Sequence, residues 1–210
     1  MLKDGSLATQ NTVSIAFLDH DGEPIYVGQT KESLRQRIGR HLTNQRTDGV
    51  AMNVVDPFEV LTIELYPLWD LNDPKYTDQQ RSIILNQAEY SVYMKALTDS
   101  HFHAVLNEAD IPECDFIGLP EVYKGQIVPE AVYQLRKHPD IRLARRAMTV
   151  ANLARVISER DVSVGLRGTL LTQARRLVDL AQKRLEEFED QFPIESGDSE
   201  TGGSPDIDDE

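Results

Sequence analysis

A single cysteine, Cys114, is all the thiol chemistry in the 210-residue chain, which excludes an intrachain disulfide and a cysteine zinc cluster and agrees with a reducing compartment. On its own it reads as buried filler rather than a reactive group. Long apolar runs are missing too: no stretch approaches the roughly 20 residues that span a bilayer. Met1-Leu2-Lys3-Asp4-Gly5-Ser6 lacks the apolar run of a secretory signal. The expectation is a cytoplasmic protein with no membrane partner. Basic side chains are also scarce. The 22 Lys and Arg against 35 Asp and Glu leave a formal charge of −13, which at first argues against a polyanionic partner, because phosphate binding draws on cations.

The distribution of charge says otherwise. Residues 195–210 hold seven acids and no base, so residues 1–194 carry 22 basic against 28 acidic side chains, a balance of −6. Between Ala131 and Arg184, twelve Lys and Arg stand against four Asp and Glu. Such asymmetry between segments says more than the total. Solvated helix faces would account for these arginines; so would contacts to nucleic acid.

Along the chain, Thr12 to Leu18, the turn-rich Asp19-His20-Asp21-Gly22-Glu23-Pro24 and then Ile25-Tyr26-Val27 read as a β-hairpin. Leu34, Ile38 and Leu42 recur every four residues, the apolar stripe of a short helix, and Arg37 and His41 share a neighbouring face of it. Phe58 to Leu65 reads as a third strand, with Pro57 before it and Pro67 after it. A helix capped by Thr77 or Asp78 follows and runs to about Leu97. This order predicts an α+β fold, a small sheet flanked by helices. Pro120, Gly125 and Pro129 punctuate a connector over 112–128. Residues 129–193 read as an all-helical region, with breaks at His138-Pro139, Arg160-Asp161 and Gly165 to Gly168. The last helix is amphipathic, with Leu170, Ala174, Leu177, Leu180, Ala181, Leu185 and Phe188. The tail, 194–210, has too little apolar surface to offset ordering entropy and is expected to be disordered.

Metal-assisted cleavage of a phosphodiester needs an activated water, a carboxylate to hold a divalent cation, and cations to steady the phosphate. A hard ion such as Mg²⁺ keeps much of its water shell, so one protein carboxylate can suffice. The residues for such a site are present in a suggestive order. Tyr26-Val27-Gly28 continues as Gln29-Thr30, Arg37 and His41 follow one turn apart, Glu89 sits in a helical Ala88-Glu89-Tyr90, and Asn107 trails in Leu106-Asn107. The residues four before and four after Glu89 are Leu85 and Tyr93, so a helical salt bridge at that spacing cannot explain it.

From about Thr12 to Ile111 this pattern resembles the GIY-YIG nuclease superfamily, and the first domain, 1–111, is expected to take that fold. The resemblance implies a metal-dependent endonuclease hydrolysing DNA, with Mg²⁺ or Mn²⁺ as cofactor. Glu89 would be the metal ligand, and Tyr26, Arg37, His41, Glu89 and Asn107 the catalytic set. Arg35 and Arg40 would contact phosphate beside Arg37, and Arg145, Arg146 and Arg167 would extend that role into the helical region, where residues 148–169 faintly suggest a helix-turn-helix. One departure stands out. The superfamily's first-strand tyrosine should fall at Ala16 or Ile15, neither of which has a hydroxyl, nor has Phe17. Tyr26, His20 or His41 would then take the proton, or the protein is a catalytically inactive module of the same fold that binds DNA or a protein partner. A zinc reading of His101 and His103 finds no third ligand. The C-terminal helices could alternatively mediate homo-oligomerisation or dock the acidic tail.

Overall fold

The structure, a computed structural model, describes residues 12–31, 33–42, 54–107 and 111–191, without the side chains of residues 37, 40–42 and 191. The acidic segment expected to be disordered lies outside the described residues. Strands β1 (Val13–Leu18) and β2 (Pro24–Thr30) form the expected hairpin. Asp19 builds its turn, its carboxylate accepting from the N–H groups of Asp21 and Glu23 at 2.8 and 3.0 Å. Gly22 has φ of +78°, the left-handed region that a residue without Cβ enters freely. Helix α1 (Leu34–Leu42) follows, with Leu34 buried.

The third strand, β3, spans Thr62–Pro67, later than the sequence suggests. The Asp56 carboxylate accepts from the Phe58 N–H at 3.0 Å and the Glu59 N–H donates to the Asp56 carbonyl at 2.9 Å, so a turn consumes the start of the expected strand. Phe58 stays at the surface between two guanidiniums, Arg145 and Arg136, 3.6 and 3.9 Å from its ring centre. Helix α2 (Asp78–Asp99) starts where expected: the Thr77 side chain accepts from the Gln80 N–H, and the Gln80 side chain accepts in return from the Thr77 N–H.

The expected connector is not only a connector. Its residues Tyr123–Gln126 form strand β4, paired antiparallel with β3. Tyr-Lys-Gly-Gln carries no apolar alternation; the strand forms because the open edge of β3 offers unpaired backbone groups. The completed sheet is antiparallel in the order β2-β1-β3-β4. Beyond it come α3 (Glu130–Arg136), α4 (Pro139–Glu159) and α5 (Val164–Gln191). The breaks at His138-Pro139 and Arg160-Asp161 occur as expected. The one at Gly165 to Gly168 does not, because the Ser163 hydroxyl accepts from the Leu166 N–H at 3.2 Å and starts α5 ahead of both glycines.

Helices cover both faces of the sheet, which is why all six residues of β1 are buried. On one face, Ala16, Leu18, Val27 and Tyr66 pack with Val92 and Ala96 of α2. On the other, Val13, Ile15, Phe17, Ile63 and Leu65 share a core with Leu34 of α1 and with Leu153, Ile157 and Leu166 of α4 and α5. The C-terminal helices therefore complete the core of the N-terminal sheet. Fully burying each such side chain stabilises by about 1.5–3 kcal/mol, so the boundary expected near residue 112 does not separate two cores.

An ionic cluster reinforces this union. Asp19 in the hairpin turn accepts from Arg146 of α4 at 2.9 Å and from Arg176 of α5 at 2.6 Å, and Glu59 accepts from Arg146 at 2.7 Å. Beside them Arg142 grips Asp21 through both terminal guanidinium nitrogens. Much of the positive charge of the C-terminal region is thus neutralised inside the protein.

Candidate nuclease site at the outer edge of β2

Tyr26 sits on β2, the edge strand, half-buried, across the ladder from Phe17, with the two rings stacked at 5.7 Å and 25°. Its phenol lies along its own strand over Gly28. A Cβ at position 28 would come within 2.8 Å of the Tyr26 hydroxyl oxygen, so glycine is what lets the ring take this pose. Ile15 pairs with Gly28 and lies on the Tyr26 face, whereas Ala16 joins the opposite core under α2. Of the two positions where a first-strand tyrosine is expected, Ile15 is the one facing Tyr26's side of the sheet. The C-terminal helices bury it, and an alkyl side chain suits a site where a hydroxyl would lose its water.

Glu89 approaches from α2. Lys31 Nζ donates to Ser82 Oγ at 2.9 Å, and Gln29 Nε2 donates to Asn86 Oδ1 at 2.8 Å. As the helix advances, β2 is read backwards, so the two elements run side by side in opposite directions. Ser82, Asn86 and Glu89 share one stripe of the helix. The step from Asn86 to Glu89 is about 4.5 Å of helix axis, which brings Glu89 level with Val27-Gly28. Glu89 is half-buried. Its negative charge is felt by Cys114, whose thiol is pushed up by burial first and then by Asp115 and Glu89. Cys114 is half-buried rather than core filler, with its sulfur 3.6 Å from the Asn86 carbonyl.

Asn107 reaches the same edge. Its Oδ1 accepts from the Val27 N–H at 3.1 Å and its Nδ2 donates to the Val27 carbonyl at 2.8 Å, while the Leu106 N–H donates to Ile25 at 2.8 Å. The amide thereby pairs the open edge of β2 as a neighbouring strand would. Both polar atoms of the side chain are engaged, which makes Asn107 a clamp on the Tyr26-Val27-Gly28 segment.

Arg37 and His41 lie on α1, but their side chains, with that of Arg40, are outside those described. Arg35 is exposed on the same helix and Arg167 on α5. The phosphate contact expected of Arg146 needs correcting. Arg146 is only 2 % exposed, committed to Asp19 and Glu59, and Arg145 holds Asp56 through two hydrogen bonds of 2.7 and 2.8 Å. Enclosed with two carboxylates, Arg146 has no surface to offer a phosphate, whereas the Arg145 side chain stays 36 % exposed while paired to Asp56. His20 is likewise engaged, its Nε2 3.1 Å from the Phe58 carbonyl and its ring stacked on Tyr133. Among the described residues no three His, Cys, Asp or Glu side chains are grouped to hold a metal ion, and no helix is long and apolar enough to cross a membrane.

Sequence reading missed the polar ladder that flanks the site. Lys31, Arg81, Ser82 and Asn72 line a cleft of about 490 Å³ beside it. The only signal was that Lys31 continues Gln29-Thr30 beyond the glycine.

The family model described as the GIY-YIG catalytic domain matches residues 16–73, in the N-terminal region. No curated protein and no solved structure matches the chain. The match points to the nuclease class of function. Glu89 and Asn107 fall beyond the matched residues; Asn107 holds the Val27 backbone, and Glu89 lies on the helix that the Gln29–Asn86 hydrogen bond ties to β2.

Proposed function

We propose that this protein is a metal-dependent endonuclease that hydrolyses phosphodiester bonds in DNA at the outer edge of β2. One observation carries the reading: the ladder Lys31–Ser82 and Gln29–Asn86 aligns α2 along β2 so that Glu89, a hard oxygen donor, stands level with the Tyr26-Val27-Gly28 motif. Glu89 would hold Mg²⁺ or Mn²⁺, ions that accept a single protein carboxylate and complete their shells with water and substrate. When bound, such an ion supplies Lewis acidity to the phosphate and lowers the pKa of its water. The chain's own groups do the rest. Tyr26 offers a phenol, held in one pose by Phe17 and Gly28, to orient the attacking water, and in its phenolate form would take that water's proton. Arg37 binds the non-bridging phosphate oxygens as a planar fork, with Arg35 beside it. His41 returns a proton to the leaving oxygen. Asn107 keeps the strand from fraying.

The test is nicking of supercoiled plasmid by the full chain with Mg²⁺ or Mn²⁺. Glu89→Gln keeps the shape and removes the charge. Losing the several kcal/mol that an ion contributes to the transition state should slow cleavage roughly a thousandfold. Undiminished cleavage by this variant would remove the metal assignment. A second reading, a non-catalytic module that binds DNA or a protein partner, is favoured by Ile15, which has no hydroxyl to share with Tyr26. DNA binding by the wild-type chain without nicking in either metal would establish it.

A further inference from the structure

Helix α5 carries a second apolar seam, on the side away from its own core. Leu166, Thr169, Gln173, Arg176 and Leu180 face inward and are buried. Opposite them, Val164, Leu171, Val178 and Leu185 recur every seven residues and are 86, 53, 56 and 59 % exposed, with Phe188 beside the last at 43 %. A strict seven-residue apolar repeat keeps one line of a helix facing a partner helix over its whole length. From Val164 to Phe188 the seam runs about 36 Å. Helix α4 adds Ile141 and Met148, again seven apart and 47 and 63 % exposed. Apolar patches of this extent on a soluble protein mark interaction surfaces.

We propose that this seam receives the same seam of a second copy of the chain, with the two α5 helices antiparallel. The argument for a second copy is the charge along and beside the seam. Its first half carries exposed Arg167 and Arg175, and its second half carries exposed Glu186 and Glu189. A two-fold axis crossing between Asp179 and Leu180 sets Leu171 against Phe188 of the second copy, Val178 against Ala181 and Leu185 against Ala174. In the same register Arg175 lies about 3 Å along the axis from Glu186 of the second copy and Arg167 about 4.5 Å from Glu189, offsets that these long side chains can span. A parallel pair would stack arginine on arginine and glutamate on glutamate. The antiparallel pair satisfies both the apolar repeat and the charges with one symmetry operation, as a self-complementary two-fold interface requires.

Sedimentation equilibrium of the full chain should show a monomer–dimer equilibrium. Val178→Glu, on an exposed helix face where folding is not at stake, should weaken it by about a hundredfold, since each dimer loses two buried valines. Arg175→Glu and Glu186→Arg should each weaken the dimer, and the double variant should restore it. In a Cys114→Ser background, Leu171→Cys and Phe188→Cys proteins should cross-link to each other on mixing and neither to itself. A monomer at every concentration, unaffected association of Val178→Glu, or self-cross-linking of either cysteine variant overturns the proposal. So does a monomer that dimerises only when residues 195–210 are deleted, which would make the acidic tail the occupant of the seam.

Discussion

The two ends of the β1–β2 hairpin use charged side chains in opposite ways. At the turn, Asp19 and Glu59 are closed in with Arg142, Arg146 and Arg176, Asp21 pairs with Arg142 from the surface, and every charge there faces another charge of the protein. At the far end, along the outer edge of β2, Lys31 and Gln29 reach Ser82 and Asn86 of α2 through single hydrogen bonds, and all four groups are half-buried or exposed. A buried ion pair fixes geometry and has nothing left for a ligand. A ladder at a sheet edge keeps its groups within reach of solvent and of a substrate. Arginine count alone could not separate these roles.

The comparison breaks most severely at Asp19. Asp19→Asn keeps the turn hydrogen bonds but leaves Arg146 and Arg176 to share Glu59, and should cost about 3–5 kcal/mol in urea denaturation. If stability is unchanged, the cluster at the turn is not what joins the C-terminal helices to the sheet. At the other end, Tyr26→Phe should slow nicking by roughly a hundredfold or more with almost no change in Tm. Gly28→Ala, which pushes the phenol aside, should act in the same direction. Asn107→Ala unpairs the Val27 backbone and should cost about 1–3 kcal/mol, with faster amide exchange at Val27 as the local signature; uniform exchange would show that the amide is no clamp.

The smallest effect is the response to acid. Burial alone would raise the Asp21 carboxyl, but the hydrogen bond and charge of Arg142, with Arg146 and Lys183 behind, hold it below its ordinary value of 3.8. A depressed folded pKa stabilises above the unfolded pKa and loses that contribution as pH falls through the folded one. Stability should therefore decline as pH drops below about 4, and Arg142→Ala should flatten that part of the curve. An unaltered acid limb in the variant would assign the decline to other carboxylates.

The hairpin, the start of α2 at Thr77 and the break at Arg160-Asp161 were legible because each has a local cause, a Gly at positive φ, a capping box or a change of period. β4 was not, since a four-residue strand without apolar alternation exists only because β3 needs a partner. The site was half legible. Tyr26-Val27-Gly28 and Glu89 stood out as residue types in order, whereas the alignment of β2 with α2 and the clamp by Asn107 join residues 57 and 80 positions apart.

By itself, then, the amino-acid order determined which segments coil or extend and which side chains are chemically able to hold a cation, a phosphate or a proton, because these follow from near neighbours and functional groups. Only the tertiary structure decided that Arg146 belongs to the interior, that Ile15 lies under the C-terminal helices, and that α2 runs alongside β2 through the Gln29–Asn86 and Lys31–Ser82 hydrogen bonds. Burial and ion pairing depend on which distant segments share a core, and that choice is made by the collective packing of both sheet faces rather than by any local run of residues.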